Sequence, residues 1–172
     1  NINKPTFFVI NKIDTQKSES LLADFYQLGK DRLFPISAEH GTGVDELLEA
    51  FLVLLPFEKE DHGPMTFPRV AVVGRPNVGK STLINTLLGK ERVVVNNIPG
   101  TTRDPVDTLV EYQEKPFVFT DTAGIRRRGK IERGIEGYSL ARTFKALGRS
   151  DIAILILDGA EGVTEQDTKI AG

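Results

Sequence analysis

Residues 74–81, Gly74-Arg75-Pro76-Asn77-Val78-Gly79-Lys80-Ser81, follow the pattern G-x-x-x-x-G-K-[ST] of a phosphate-binding loop, the P-loop. The chemistry suits a polyphosphate. Glycines let backbone N–H groups converge on oxygen atoms with no Cβ in the way. A helix N-terminus directly after the loop adds partial positive charge. Lys80 is placed to reach the β- and γ-phosphates and the Ser81 hydroxyl to ligate Mg²⁺; Thr82 is counted with residues 74–81 as phosphate-binding.

Further patterns join it. Asn11-Lys12-Ile13-Asp14 is an N-K-x-D sequence. Its Asp14 carboxylate can accept two hydrogen bonds from guanine, from N1–H and the exocyclic amine, a donor pair that adenine lacks. Asn11 can bond the purine edge and the Lys12 stem can cover the ring face. Ser37-Ala38 can present a backbone N–H to the guanine carbonyl. Alone, each also reads as a plain turn with solvated polar residues. In Thr101-Thr102-Arg103-Asp104 a threonine hydroxyl, Thr102 in this reading, would complete the Mg²⁺ shell and sense the γ-phosphate as a switch. Asp121-Thr122-Ala123-Gly124 has the D-x-x-G pattern, with a carboxylate near Mg²⁺ and a glycine N–H facing the γ-phosphate. These short patterns are common, and reinforce one another in this order.

The elements that must position these residues are legible. Val70-Ala71-Val72-Val73 predicts a buried strand before the loop. Leu83, Ile84, Leu87 and Leu88 predict one helix face after it, stopped at Gly89. Residues 5–10 predict a strand that delivers Asn11 at its C-terminal end, where open α/β sheets bind ligands. Residues 19–28 predict a packing helix. Residues 33–36 predict a short strand whose Pro35 puts it at a sheet edge. Thr42 and Asp45 have capping-box spacing ahead of a helix carrying Val44, Leu47, Leu48, Phe51, Leu52 and Leu55, which Pro56 ends. Residues 57–67 read as a linker. Residues 96–100 are turn-rich and expected to be mobile. Residues 106–112 and 116–120 predict two strands joined at residues 113–115. Residues 138–148 predict a helix, 152–157 a central parallel strand, and 164–172 the opening of a helix. Arg126, Arg127, Arg128, Lys130 and Arg133 are either a solvated second switch or a local basic patch for RNA or a partner domain.

Composition narrows the classes. The chain has 172 residues, 40% hydrophobic and 27% charged, enough for an α/β domain with a sizeable core. A net charge of −2 supplies no global field for nucleic acid, so such a contact would need a local patch. With no cysteine, disulfides, thiolate chemistry and zinc–sulfur sites are excluded. No apolar run spans a bilayer and no signal-peptide pattern opens the chain, which makes a soluble cytoplasmic protein the default. Both ends read as cut, so a fragment is expected.

With these motifs in place the chain resembles a Ras-like GTPase of the Era/TrmE group, and within it the Der (EngA) family, bacterial GTPases with two G domains in tandem. The stretches that carry the resemblance are residues 73–83, 98–104, 121–130 and 161–167. It implies a three-layer α/β/α fold with a mostly parallel sheet, and division into residues 1–55, the C-terminal part of a first G domain; 56–68, a linker; and 69–172, the N-terminal part of a second. Asn11 and Asp14 would then serve a different nucleotide from the one held at Gly79 and Lys80. The N-K-x-D, S-A, P-loop, threonine, D-x-x-G order is also that of a single circularly permuted G domain, and both arrangements stay open. The resemblance further implies GTP hydrolysis in ribosome biogenesis at the large subunit or its rRNA, with a KH-like domain as a further part of the parent protein. The water-orienting glutamine of Ras-type enzymes corresponds to Ile125, and some relatives with this replacement use a potassium ion held partly by the residue equivalent to Asn77, which implies a potassium-stimulated enzyme here. A nucleotide-dependent RNA-binding module with hydrolysis as a timer, an ATPase, and an inert fragment are the rival readings.

Overall fold

The structure, a computed structural model, describes residues 4–14, 22–26, 33–57, 67–91, 93–96, 107–120 and 140–171. Its elements in chain order are β1 (Thr6–Asn11), α1 (Leu22–Tyr26), β2 (Leu33–Pro35), α2 (Val44–Leu52), β3 (Arg69–Val73), α3 (Lys80–Leu88), β4 (Val93–Asn96), β5 (Thr108–Tyr112), β6 (Lys115–Phe119), α4 (Leu140–Gly148), β7 (Ile152–Asp158) and α5 (Glu165–Ala171).

Alternation along three strands sets the architecture. Phe7 and Val9 of β1, Val70 and Val72 of β3, and Ile152, Ile154 and Ile156 of β7 enter one apolar cluster, together with α2 and α3. Phe8 and Ile10, Ala71 and Val73, and Ala153, Leu155 and Leu157 enter a second cluster with residues of α1, α4 and α5. Apolar strands covered on both faces are what a parallel sheet between helical layers requires. The result is α/β/α.

The strands form one sheet of order β2-β1-β7-β3-β6-β5-β4. Neighbouring strands from β2 through β1, β7 and β3 to β6 pair parallel, and β6-β5 and β5-β4 add antiparallel pairings. Strands from both sides of residues 58–66 therefore share this sheet, and β1 pairs with β7 at six positions from Thr6↔Ala153 to Asn11↔Asp158. Phe51 of α2 also joins the two stretches: its ring lies 5.6 Å from Phe117 and 6.5 Å from Phe119 of β6, and 6.4 Å from Phe7.

Most expected elements are present, and β2 is an edge strand as Pro35 predicts. Three details differ. The capping box at Thr42 and Asp45 does not form: Gly43 is the N-cap in the left-handed region, and no side chain caps the helix. Thr42 is instead bridged to Ser37, whose N–H donates to its carbonyl at 3.0 Å. Helix α2 ends at Leu52, ahead of Pro56, in tighter turns in which Leu54 N–H donates to Phe51 O and Leu55 N–H to Leu52 O. The hairpin loop is two residues, Gln113 and Glu114, both at positive φ, and Lys115 belongs to the strand; paired positive φ values match the right-handed strand twist. One element, β4, has no counterpart in the sequence reading.

Candidate functional site

The C-terminal ends of β1, β3 and β7 bring the site together. The loop after β3 turns through Gly74 (φ 147), Asn77 (φ 63) and Gly79 (φ 102) before α3 begins at Lys80. Two of these positions need glycine for space as well as for φ. A Cβ on Gly74 would meet the Ile156 carbonyl oxygen at 2.5 Å, and one on Gly79 would meet Asn11 Nδ2 at 2.1 Å. The N-terminal turn of α3 presents its N–H groups toward this loop. Val78 is fully buried, while Asn77 and Thr82 are exposed. The Lys80 ammonium closes the loop, donating to the carbonyls of Gly74 at 2.8 Å and Arg75 at 2.5 Å. A cation thereby lies over the loop, where a phosphate tail would be stabilised.

The N-K-x-D segment meets this loop directly. Asn11 is buried; its Nδ2 donates to Val78 O at 2.8 Å and its Oδ1 accepts from Ala38 N–H at 2.9 Å. One carboxamide thus holds the P-loop and the Ser37-Ala38 turn together. Thr86 Oγ1 of α3 adds a bond to Ala38 O at 2.5 Å. The Ala38 N–H, expected to face a guanine carbonyl, is engaged by Asn11 in this structure. Asp14 is exposed at the rim, 3.9 Å from His40 Nε2. Lys12 (φ 69) turns its ammonium to Asp158 Oδ2 at 2.5 Å. Thr101, Thr102, Asp121, Thr122, Ala123, Gly124, Ile125, the basic stretch 126–133 and residues 58–66 of the linker lie outside the described residues.

The sequence reading missed a carboxylate group around the P-loop arginine. Arg75 is 12% exposed; its Nη1 lies 2.7 Å from Glu161, its Nε 3.4 Å from Asp167 and its Nη2 4.0 Å from Asp158. Burial works against the Arg75 charge, but the hydrogen bond to Glu161 and the charges of Asp167, Glu161 and Asp158 outweigh it and hold the group above its ordinary value. Asp167 also closes a capping pair with Thr164, whose N–H donates to it at 2.9 Å and whose hydroxyl donates at 2.8 Å. A carboxylate ending a wholly apolar strand, as Asp158 does, was the available signal.

A parallel sheet with a strand–loop–helix phosphate cradle at its C-terminal edge defines a P-loop α/β domain. The chain belongs to the family described as 50S ribosome-binding GTPase, whose family model matches residues 69–172. It is 51% identical over 171 residues to "GTPase Der" of Geobacter sp. strain M21 and, equally, to that of Citrifermentans bemidjiense. With "GTPase Der" of Heliobacterium modesticaldum it shares 49% over 170 residues. These alignments cover 98–99% of this chain but 38–39% of the relatives, so the chain spans about two fifths of their length. Among the described residues no helix is long and apolar enough to cross a membrane.

Proposed function

We propose that this chain binds a guanine nucleotide and hydrolyses GTP to GDP and phosphate as part of a cytoplasmic protein acting in large-subunit ribosome biogenesis. The observation that carries the nucleotide reading is the pair of contacts at the P-loop: Lys80 across its carbonyls and Asn11 on Val78 O. Residues 1–55 and 69–172 correspond to the end of one G domain and the start of another in tandem relatives, with 56–68 as linker. Their strands form a single sheet here, which favours one shared site of permuted order for the isolated chain. Phosphates would be bound by residues 74–82 and by Asp121–Gly124, and guanine by Asn11, Lys12, Asp14 and the Ser37-Ala38 turn.

Among the described residues no group of three or more His, Cys, Asp or Glu could hold a metal ion. A magnesium ion would be held by Ser81 and the nucleotide's phosphates, with Thr102 and Asp121. It would supply charge neutralisation at the β- and γ-oxygens. Asn77, exposed in the loop, has an amide oxygen suited to potassium. Thr102, Gly124 and Lys80 would stabilise charge at the γ-phosphate.

A second reading is favoured by the family's description as ribosome-binding: a nucleotide-dependent ribosome or rRNA module in which hydrolysis is only a timer. Calorimetric titration of the chain with GDP and ADP tests the nucleotide reading. Selective GDP binding supports it; no binding, or equal affinity for both, contradicts it.

A further inference from the structure

We propose that Asp158 is a positioning residue for the nucleotide: it anchors the Lys12 ammonium so that the base-side loop is held in place against the P-loop arginine. This rests on the guanine-nucleotide reading above. Asp158 ends β7 opposite Asn11 and is 1% exposed. Its two oxygens divide their work. Oδ1 accepts from Ala160 N–H at 3.0 Å and Glu161 N–H at 3.3 Å, which fixes the carboxylate plane. Oδ2 faces Lys12 Nζ at 2.5 Å and Arg75 Nη2 at 4.0 Å.

Lys12 holds a left-handed backbone conformation (φ 69), which sends its side chain across the end of β7. A lysine stem is a flexible surface for a base unless its ammonium is anchored. Among the described residues Asp158 is the carboxylate that faces it, within charge-assisted hydrogen-bond distance. Arg75, bonded to Glu161 and beside Asp167, places a second cation 4.0 Å from the same carboxylate on the phosphate side. Asp158 therefore lies between the segments that would contact the two ends of a nucleotide, without touching it.

A double-mutant cycle on GDP affinity, read by calorimetry on the full chain, tests this. Asp158→Asn and Lys12→Met each weaken binding about tenfold, and the double variant also about tenfold, because Lys12 contributes only when held. Lys12→Arg, which keeps a cation opposite Asp158, stays within about twofold. A purely structural role for Asp158 would lower the melting temperature of the ligand-free protein yet leave affinity as sensitive to Lys12 as before. Additive losses of about a hundredfold, or unchanged affinity in folded Asp158→Asn, overturn the proposal. If Asp158→Asn does not fold, equal losses in Lys12→Met and Lys12→Arg overturn it. Absence of GDP binding by the wild-type chain overturns the nucleotide reading, and this inference with it; binding with additive losses overturns this inference alone.

Discussion

The Asn11 carboxamide donates to the Val78 carbonyl at 2.8 Å, across a sequence separation of 67 residues. Its oxygen accepts the Ala38 N–H, so one buried side chain satisfies two backbone groups on different loops. Replacing Asn11 with Ala leaves a buried N–H and a buried carbonyl without this partner. The expected loss of stability is about 2–4 kcal/mol, read by denaturant unfolding. An unchanged midpoint would show that water or a shifted loop replaces the amide.

Gly79→Ala strains the same contact from the other side. Its backbone is at φ 102 and the new methyl would lie 2.1 Å from Asn11 Nδ2. Either Asn11 withdraws or the loop moves, and the expected loss is about 2 kcal/mol or more, with weakened nucleotide binding. Thermal unfolding and calorimetry on the same variant check both parts.

The strands around this site were legible because both faces of β3 and β7 are buried, and the P-loop spacing stands between an apolar strand and an apolar helix face. The Thr42/Asp45 spacing misled because a local cap competes with tertiary pairing: Thr42 bridges Ser37, and Gly43 takes the N-cap in a conformation suited to glycine. Strand β4 carried no alternation, since Val94 and Val95 are both exposed to some degree on an edge that pairs with β5 alone. Arg75 lacked a sequence-local signal, because its carboxylates arrive 83 to 92 positions later in the chain (158 − 75 and 167 − 75).

Phe51 tests whether the two stretches fold as a unit. It is fully buried against Phe7, Phe117 and Phe119. Phe51→Ala should cost about 3–5 kcal/mol. The loss should appear as earlier unfolding of both stretches in one transition, followed by exchange of amides in β1 and in β6. Separate transitions would show that the stretches are independently stable.

Lys80→Met keeps the length of the stem and removes the ammonium. Two loop carbonyls at the half-buried surface are among its partners, and each can turn to water, so the fold should persist with little change in melting temperature. GDP affinity should fall about 30- to 150-fold, the worth of a charge-assisted contact of roughly 2–3 kcal/mol. Affinity equal to wild type would remove Lys80 from the phosphate site.

If the potassium site proposed at Asn77 operates, GTP hydrolysis is faster in potassium than in sodium, and Asn77→Ala removes the difference. Equal rates in the two salts would count against that site.

Hydrogen–deuterium exchange with and without GDP addresses the shared site most directly. If residues on both sides of the linker hold one nucleotide, GDP slows exchange at residues 74–82 and also at 11–14 and 37–41. Slowing confined to 74–82, with the Asn11 and Ala38 segments unchanged, would contradict a single site built from both stretches.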